Sequence, residues 1–501
     1  MIKYKNLLLL LCFIAHTNMH GQNDSIASTK VNKKENRTSY YIEAGSYGTK
    51  RETEPQSYVL NYSEINGDKS SKSNWLNLGL YTRTRAEWRH NDIRRTDTYS
   101  NDYPLLFKTR AYIGIINILD PIRGSIEFGD SRRNNGLYPE DNRDVNTTDI
   151  IQAYAELYFD KILPRDKLGN KRPTFLRYGR MAMEMIDRRL IATNQWRNTT
   201  NNFKGFRMQI GQDKNDWQMD FLFLNPILRD INDYDKPDTN QEFSAIIGHW
   251  RKWSNIITIE PYYLSLKQEA AIANGNKSRN IHSLGLRLYG WIKNTGFNYD
   301  ITGIHQFGTD NNKTQKAYAA TAEIGYTFQK TKYKPRLSAF IGYASGDKNP
   351  NDNESNRFER FFGFARPWSA DDYIIMENII APKIKLEFQS KIKNTLVKVD
   401  TGYNFYWLAN KKDRFNNLLG GTTNNRDLTG QSGSFLGHNF DCRIRFIPVK
   451  YLETNIGYSH FITEEFVQNQ QIAQNGNYAS NSDFVYLELT FNFLELIKKT
   501  K

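Results

Sequence analysis

Between Asn74 and His90 the chain reads NWLNLGLYTRTRAEWRH, and its side chains sort by parity. Leu76, Leu78, Leu80, Thr82, Thr84, Ala86 and Trp88 fall on one parity, Arg83, Arg85, Glu87 and Arg89 on the other. Successive residues of a strand point to opposite faces, so the stretch has one oily side and one charged side. The pattern recurs to the end of the chain. LFKTRAYIGI sets Phe107, Thr109, Ala111, Ile113 and Ile115 against Lys108, Arg110 and Tyr112. DIIQAYAELYF, SLGLRLYGWI, IIAPKIKLEFQ and DFVYLELTFNF divide in the same way. About eighteen such segments can be counted, each close to the ~10 residues of a tilted membrane strand. A soluble sandwich or propeller also alternates. Its strands are shorter, however, and rarely sustain Arg, Lys and Glu at every second position. Aromatic residues here gather near segment ends (Trp75, Trp88, Tyr262, Tyr263, Trp291, Trp407, Phe491, Phe493), as a membrane girdle would place them. The expected fold is all-β: a transmembrane antiparallel up-and-down barrel of about 18 strands, with lipid outside and water within.

The rest of the sequence is consistent with that frame. Lys3 and Lys5 precede a short apolar run, Leu7 to Ile14, and MHGQ offers a cleavage point after Gly21. Residues 1–21 therefore read as a signal peptide, too short in its apolar part to span a membrane as a helix. Cleavage would leave Cys442 as the one cysteine and exclude an internal disulfide. Residues 22–73 are polar and weakly periodic and are expected to form a flexible periplasmic leader. The barrel is expected over 74–493 and a tail over 494–501. Short connections such as DPIRG, QDKND, KNTG and SKIKNT alternate with long polar ones, among them Met181 to Asn202 and Gly346 to Asn378. That alternation is what short periplasmic turns and longer outer loops produce; KILPRDKLGNKRP (Lys161 to Pro173) is too long for its place.

Charge addresses the bore. The net formal charge of +14 falls by two without Lys3 and Lys5. For an exported barrel this excess points to an anionic solute or lipid headgroups rather than nucleic acid. The inward side is expected to carry Arg83, Arg85, Arg89, Lys108, Arg110, Arg123, Arg177, Arg180, Arg207, Arg287, Lys383, Lys385, Arg443 and Arg445. Interleaved acids are Glu87, Glu127, Asp130, Glu156, Asp300, Glu387 and Asp441. A cationic lining between low-dielectric walls concentrates anions. Arg443 and Arg445, two apart among Cys442, Ile444 and Phe446, are the pair of clearest facing. Tyr112, Tyr154, Tyr158 and Tyr289 offer surfaces for stacking sugars or simply fill space.

One region carries a family resemblance. FLRYGRMAMEMIDRRLIATNQWRNTTNNFKGFRMQIG (Phe175 to Gly211) resembles the alginate-export porins of Gram-negative outer membranes. The shared pieces are Gly179-Arg180 ending a strand, Arg189-Leu190 and Trp196 in a loop, and Phe203-Lys204-Gly205-Phe206-Arg207 opening the next strand. FGDSR (Phe128 to Arg132), QAYAELYF (Gln152 to Phe159), ASGDKNPND (Ala344 to Asp352) and IGYSHF (Ile456 to Phe461) are similar too, so the likeness runs from about Trp75 to Phe493. The resemblance implies an outer-membrane, monomeric barrel that passes an anionic polysaccharide such as a polyuronate, with periplasmic polysaccharide-handling proteins and outer-membrane lipid as partners and no cofactor. Guanidinium forks match one carboxylate per sugar, and each contact has to stay weak for a chain to move on. Lys204 stands where the family has an acid, which is read as a charge reversal near the pore. The chain also runs past Phe493 with LELIKKTK.

Two other readings stay open: a general or small-anion-selective porin, and a barrel hydrolase or surface adhesin. No histidine lies at metal-ligand spacing with Cys or His, and no phosphate loop or nucleophile elbow occurs, so no enzyme is expected. Ser345-Gly346-Asp347 reads as a turn, and Asp347 to Asn356 as a solvated loop without EF-hand spacing.

Overall fold

A computed structural model describes residues 37–68, 73–95, 100–272, 276–415 and 425–499. The signal peptide and the first part of the expected leader lie outside these residues. Among the described residues eighteen long strands form the wall. In chain order they are β1 Leu76–His90, β2 Leu105–Ile115, β3 Ile122–Asn134, β4 Asn146–Phe159, β5 Thr174–Met181 and β6 Phe203–Ile210. Then follow β7 Trp217–Leu228, β8 Gln241–Trp250, β9 Thr258–Gln268, β10 Arg279–Trp291, β11 Phe297–Asp310 and β12 Lys313–Thr327. The last six are β13 Arg336–Ala344, β14 Ile379–Ile392, β15 Thr395–Trp407, β16 Phe435–Val449, β17 Leu452–Thr463 and β18 Asn481–Asn492. Every neighbour in this series is antiparallel, and β1 pairs with β18 from Tyr81↔Asn492 to His90↔Asp483, which closes the barrel and removes both sheet edges.

The faces of β1 divide as the alternation requires. Arg83, Arg85, Glu87 and Arg89 are buried inside, while Leu80 is exposed on the outer surface. The outer face elsewhere shows Leu284, Ile301, Ile324 and Ile384 to the surroundings, the last 63% exposed, which only hydrocarbon makes favourable on this scale. Short turns at one end, here the turn end, are closed by residues with positive φ such as Asn294 and Gly296. At the opposite, loop end one connection is also tight: Asn311 and Asn312, both with positive φ, join β11 to β12 as a two-residue hairpin turn.

Two long connections turn inward and fill the loop end of the bore. They were expected to be polar outer loops; their apolar content explains the difference. From 182–202, Met183, Met185, Ile186, Leu190, Ile191 and Ala192 are buried, and from 345–378, Phe358, Phe361, Phe364, Trp368 and Tyr373 are buried. The loops bind one another through backbone: Phe362 N–H donates to Leu190 O (3.0 Å) and Phe364 N–H to Arg188 O (3.0 Å). A Cβ at Gly363 would stand 1.8 Å from Arg189 O, so only glycine allows that approach. The inner faces of β7–β12 meet the loops with Leu222, Leu224, Phe243, Ile247, Leu264, Leu266, Ile281 and Ile304, forming one apolar core inside the barrel.

The leader departs from expectation over 38–66. It is not a free segment but lies in the turn end of the bore, held to wall and loops. Trp291 Nε1 donates to Glu43 O (2.8 Å), Lys385 Nζ to Ser46 Oγ (2.8 Å) and Arg188 Nη2 to Gly48 O (2.5 Å). Arg207 Nη1 reaches Glu54 Oε1 at 2.6 Å, and Tyr58 OH bonds Glu127. Val59–Asn61 adds a short strand to β1, pairing Val59↔Gly79, and helix α1 (Tyr62–Ile65) follows. Helix α2 (Glu465–Asn475) lies between β17 and β18. The expected tail begins as helix α3 (Phe493–Ile497), and Lys499 N–H donates to Ile65 O (2.9 Å), so the tail is fastened to the end of helix α1.

Candidate pore and its lining

Between the leader, the inserted loops and the wall from β14 through β18 to β1 lies a cavity of about 870 Å³. Its walls carry thirteen Lys or Arg side chains against seven Asp or Glu. The surplus is concentrated on β14–β16. Arg443 Nε donates to Asp400 Oδ2 at 2.8 Å and Arg445 stands 3.7 Å from the same carboxylate, so two guanidiniums share one counter-ion. Lys383 and Lys398 line the same space, and among the described residues neither forms an ion pair with a carboxylate. Arg366, from the inserted loop, lies 3.6 Å over the Trp196 ring and donates to Ala370 O and Tyr486 OH. No carboxylate pairs with it among the described residues. A cluster of this kind in a partly dry space attracts anions strongly.

The remaining expected lining residues divide by what they hold. Arg83, Arg85 and Lys108 face inward but grip the first loop: Arg83 Nη1 donates to Gln195 O (2.8 Å), Arg85 Nη1 to Trp196 O (2.6 Å) and Lys108 Nζ to Arg197 O (3.1 Å). Arg110 joins Glu127 (2.7 Å) and Thr200, while Arg287 reaches Glu260, Asp300 and Ile186 O. Arg89 is paired with Glu87 at 3.0 Å. Arg177 bridges Glu156 (2.8 Å) and Glu54 (3.2 Å), Arg207 bridges Glu54 and Asp220, and Lys385 reaches Glu323 and Ser46. Glu387 is taken by Arg336 at 2.5 Å. These groups brace the bore, and carbonyls and carboxylates already occupy their donors.

Four assignments are corrected. Asp130 lies three residues from the inward Glu127, hence on the other parity; it pairs with the exposed Arg132 at the outer surface. Arg180, three from the inward Arg177, braces the loop rim through Asp149 (2.8 Å) and Asp235 O (2.6 Å). Arg123 has the inward parity but sits at the turn end, clamped by Asp120 at 2.7 Å. Lys204 faces outward between the inward Phe203 and Arg207, so its charge does not reach the pore. The tyrosines are not open stacking surfaces either: Arg177 lies 4.0 Å over Tyr154, Arg123 3.4 Å over Tyr158 and Arg287 4.2 Å over Tyr289, and Tyr112 is buried. The expected lining omits several cations of this cavity, among them Arg336, Arg366 and Lys398. Arg366 lies in a loop, where parity gives no facing, whereas Arg336 and Lys398 lie on the inward parity of β13 and β15 and could have been found from it.

Among the described residues no group of three or more Cys, His, Asp or Glu side chains comes together to hold a metal. Ser345 Oγ, in the turn read from Ser345 to Asp347, donates to Asn356 O (2.7 Å) and accepts from Tyr318 N–H (2.9 Å), a structural role.

A closed eighteen-stranded barrel with an oily exterior, a charged interior and inserted loops is the architecture of a porin-like channel of the outer membrane. Solved structures agree. OccK11 (OpdR) of Pseudomonas aeruginosa matches with a TM-score of 0.52 at 11% identity, over 83% of this chain and 95% of that one. OpdK of the same organism, solved with vanillate, matches with a TM-score of 0.52 at 10% identity, over 83% and 98%. OccAB1 of Acinetobacter baumannii gives 0.51 at 10%, over 83% and 96%. At such identities the likeness concerns the fold. No curated protein matches the chain. The chain belongs to the alginate export family, which matches residues 74–481.

Proposed function

We propose that this outer-membrane channel passes an anionic saccharide of the uronate class, the solute moving down its gradient through the cation-lined cavity. The observation that carries this reading is the set Lys383, Lys398, Arg366, Arg443 and Arg445: five cations on one cavity with Asp400 as the carboxylate paired to two of them. Guanidinium forks take both oxygens of a carboxylate, and Lys383, Lys398 and Arg366 have no carboxylate partner among the described residues, so a passing anion meets these three without breaking an ion pair. With it go secretion directed by residues 1–21, a monomeric barrel, outer-membrane lipid around it, and periplasmic polysaccharide-handling proteins at the turn end. The chain serves as a conduit, with no catalytic step.

A second reading, a porin for small anions, is favoured by space. A cavity of about 870 Å³ is of the size that holds one drug-sized ligand, about 300–1,000 Å³. A polymer therefore passes only in an extended single file or with the leader displaced.

Planar-bilayer recording of the full barrel tests both. Under a KCl gradient the reversal potential should have the anion sign, and oligouronates should block the current where neutral oligosaccharides of equal length do not. Block by chloride-sized organic anions with no preference for oligouronates favours the second reading. Arg443→Glu with Arg445→Glu should move the reversal potential toward cations and raise the half-blocking oligouronate concentration at least tenfold, since one charge-assisted hydrogen bond contributes about 1.5 kcal/mol. An unmoved reversal potential rejects the cavity as the selective element.

A further inference from the structure

The outer surface of β9–β12 carries a row of rings with polar edges just below the loop end. Tyr263, His282, Phe307, His305 and Tyr318 form a continuous ladder across four strands: Tyr263–His282 at 5.9 Å, His282–Phe307 at 5.3 Å, Phe307–His305 at 5.8 Å and His305–Tyr318 at 4.8 Å, with interplanar angles of 19° to 26°. All five share the outward parity, because Leu284, Leu286, Ile301 and Ile324 continue the same faces toward the turn end as exposed apolar surface.

The nitrogens of this ladder are the notable part. Tyr263 OH and His282 Nδ1 lie 2.6 Å apart; in the tautomer whose Nδ1 accepts from the phenol, the imidazole N–H sits on Nε2. Among the described residues that Nε2 has no hydrogen-bond partner, and neither nitrogen of His305 has one, its Nδ1 being buried and its Nε2 left to meet a ligand. Donors at the edge of an apolar belt cost free energy unless something bonds them. Two ammonium groups frame the ladder: Lys267 on β9, which pairs with Asn280 on β10, and Lys316 on β12, which is cross-strand to Phe307. Their carboxylate neighbours, Glu269 and Glu354, are exposed pairs that hold them weakly. Apolar surface below, aromatic rings at the boundary, imidazole donors and flanking ammoniums above is the layout of a lipid: acyl chains, interface, then a phosphate.

We propose that this patch seats the phosphate headgroup of a lipid at the loop-end leaflet, with Lys267 and Lys316 meeting its charge and His282 and His305 donating to its oxygens. The site lies on the outside of the wall and is independent of what the bore conducts.

Lipid binding to the full barrel in a maltoside detergent tests this, with phosphatidylglycerol against a phosphate-free glucosyl diacylglycerol, read by native mass spectrometry. Wild type should hold phosphatidylglycerol about tenfold more tightly, as two ammoniums near one phosphate predict. Lys267→Gln with Lys316→Gln should remove most of that preference, and His282→Phe with His305→Phe, which keeps the rings, should remove the remainder. Lys391→Gln with Lys393→Gln, at the turn end, should leave it intact. Unchanged single-channel conductance in each variant certifies the fold. Equal affinity of the wild type for the two lipids, or a preference that survives all four substitutions, overturns the proposal.

Discussion

The arc β7–β12 and the arc running from β14 through β18 to β1 present the same oily exterior, yet their interiors are opposites. On the first, Leu222, Phe243, Ile247, Leu264 and Ile281 turn inward at the loop end and fuse with Met185, Ile191 and Phe361 of the inserted loops into a dry core. On the second, Lys383, Lys398, Arg443 and Arg445 turn inward onto open space. One wall thus does two jobs: half of it cements the obstruction in place, and the other half forms the passage beside it. The contrast teaches that the loops are positioned by apolar packing and only secured by charge, since Arg83, Arg85 and Lys108 bind their carbonyls from the far side.

Loosening the cement gives the largest effect. Phe243→Ala should cost the docked loops about 3–5 kcal/mol, the range of a buried Phe truncation. Limited proteolysis should then cut within 183–201 and 357–376 in the folded barrel, whereas Ile384→Ala on the lipid face should leave both protected. Uniform resistance of the Phe243 variant would dissolve the distinction between the arcs.

A smaller effect should come from the carboxylate pair where the second loop meets the charged arc. Asp371 Oδ2 and Asp441 Oδ1 share the donors Asn439 Nδ2 and Ser459 Oγ at 2.7–3.2 Å, with the Arg89 guanidinium on the Asp371 carbonyl and Tyr373 beside it. Burial, then the neighbouring Asp441 charge, pushes the Asp371 carboxyl up to about 6. The docked loop thus retains a proton that an undocked one releases. Docking is strongest below the ordinary aspartate range and weakens as pH rises through about 6, by about 2–3 kcal/mol at neutrality. Gating events should be more frequent at pH 8 than at pH 5, and Asp371→Asn should flatten that dependence. A flat wild-type profile would count against the pair as a latch.

The leader should respond least. Burial alone would raise the Glu54 carboxyl, but Arg207 and Arg177 hold it below its usual range. The tether is therefore intact above the ordinary glutamate range and fails as pH falls below it. Glu54→Gln should weaken the leader by about 1–2 kcal/mol, a half-exposed share of a charge-assisted pair. Hydrogen exchange of residues 46–58 should speed up while the strands stay protected.

How much of this was legible depended on whether a residue's facing follows from counting by two. On the strands it does: Arg83, Arg287, Lys383 and Arg443 face inward as parity demands. Asp130 and Arg180 obey the same rule, standing on the outward parity, and only their charge suggested the bore. Facing did not reveal occupancy, because Arg177 and Arg287 are consumed by partners from the leader and a loop that parity cannot position. Yet the inserted loops left a trace. MAMEMIDRRLIA and RFFGFARPW are too apolar for solvated loops, and Leu222, Leu224, Phe243 and Ala245 place apolar residues on both faces of their strands. Read together, those features point to a core inside the bore. In the leader only SYVLNY, which could be read as a brief strand and contains Val59–Asn61, left a trace; Glu54 and Ser46 look like any polar linker until the arginines they meet are known.

Arg188, on the first loop, reaches down to Gly48 O, and Glu52 N–H reaches up to Glu184 of the same loop (2.8 Å). Through Gly363 that loop is stitched to the second. A pull on the leader from the turn side should therefore reach the far mouth through these bonds, so that leader and loops move as one piece.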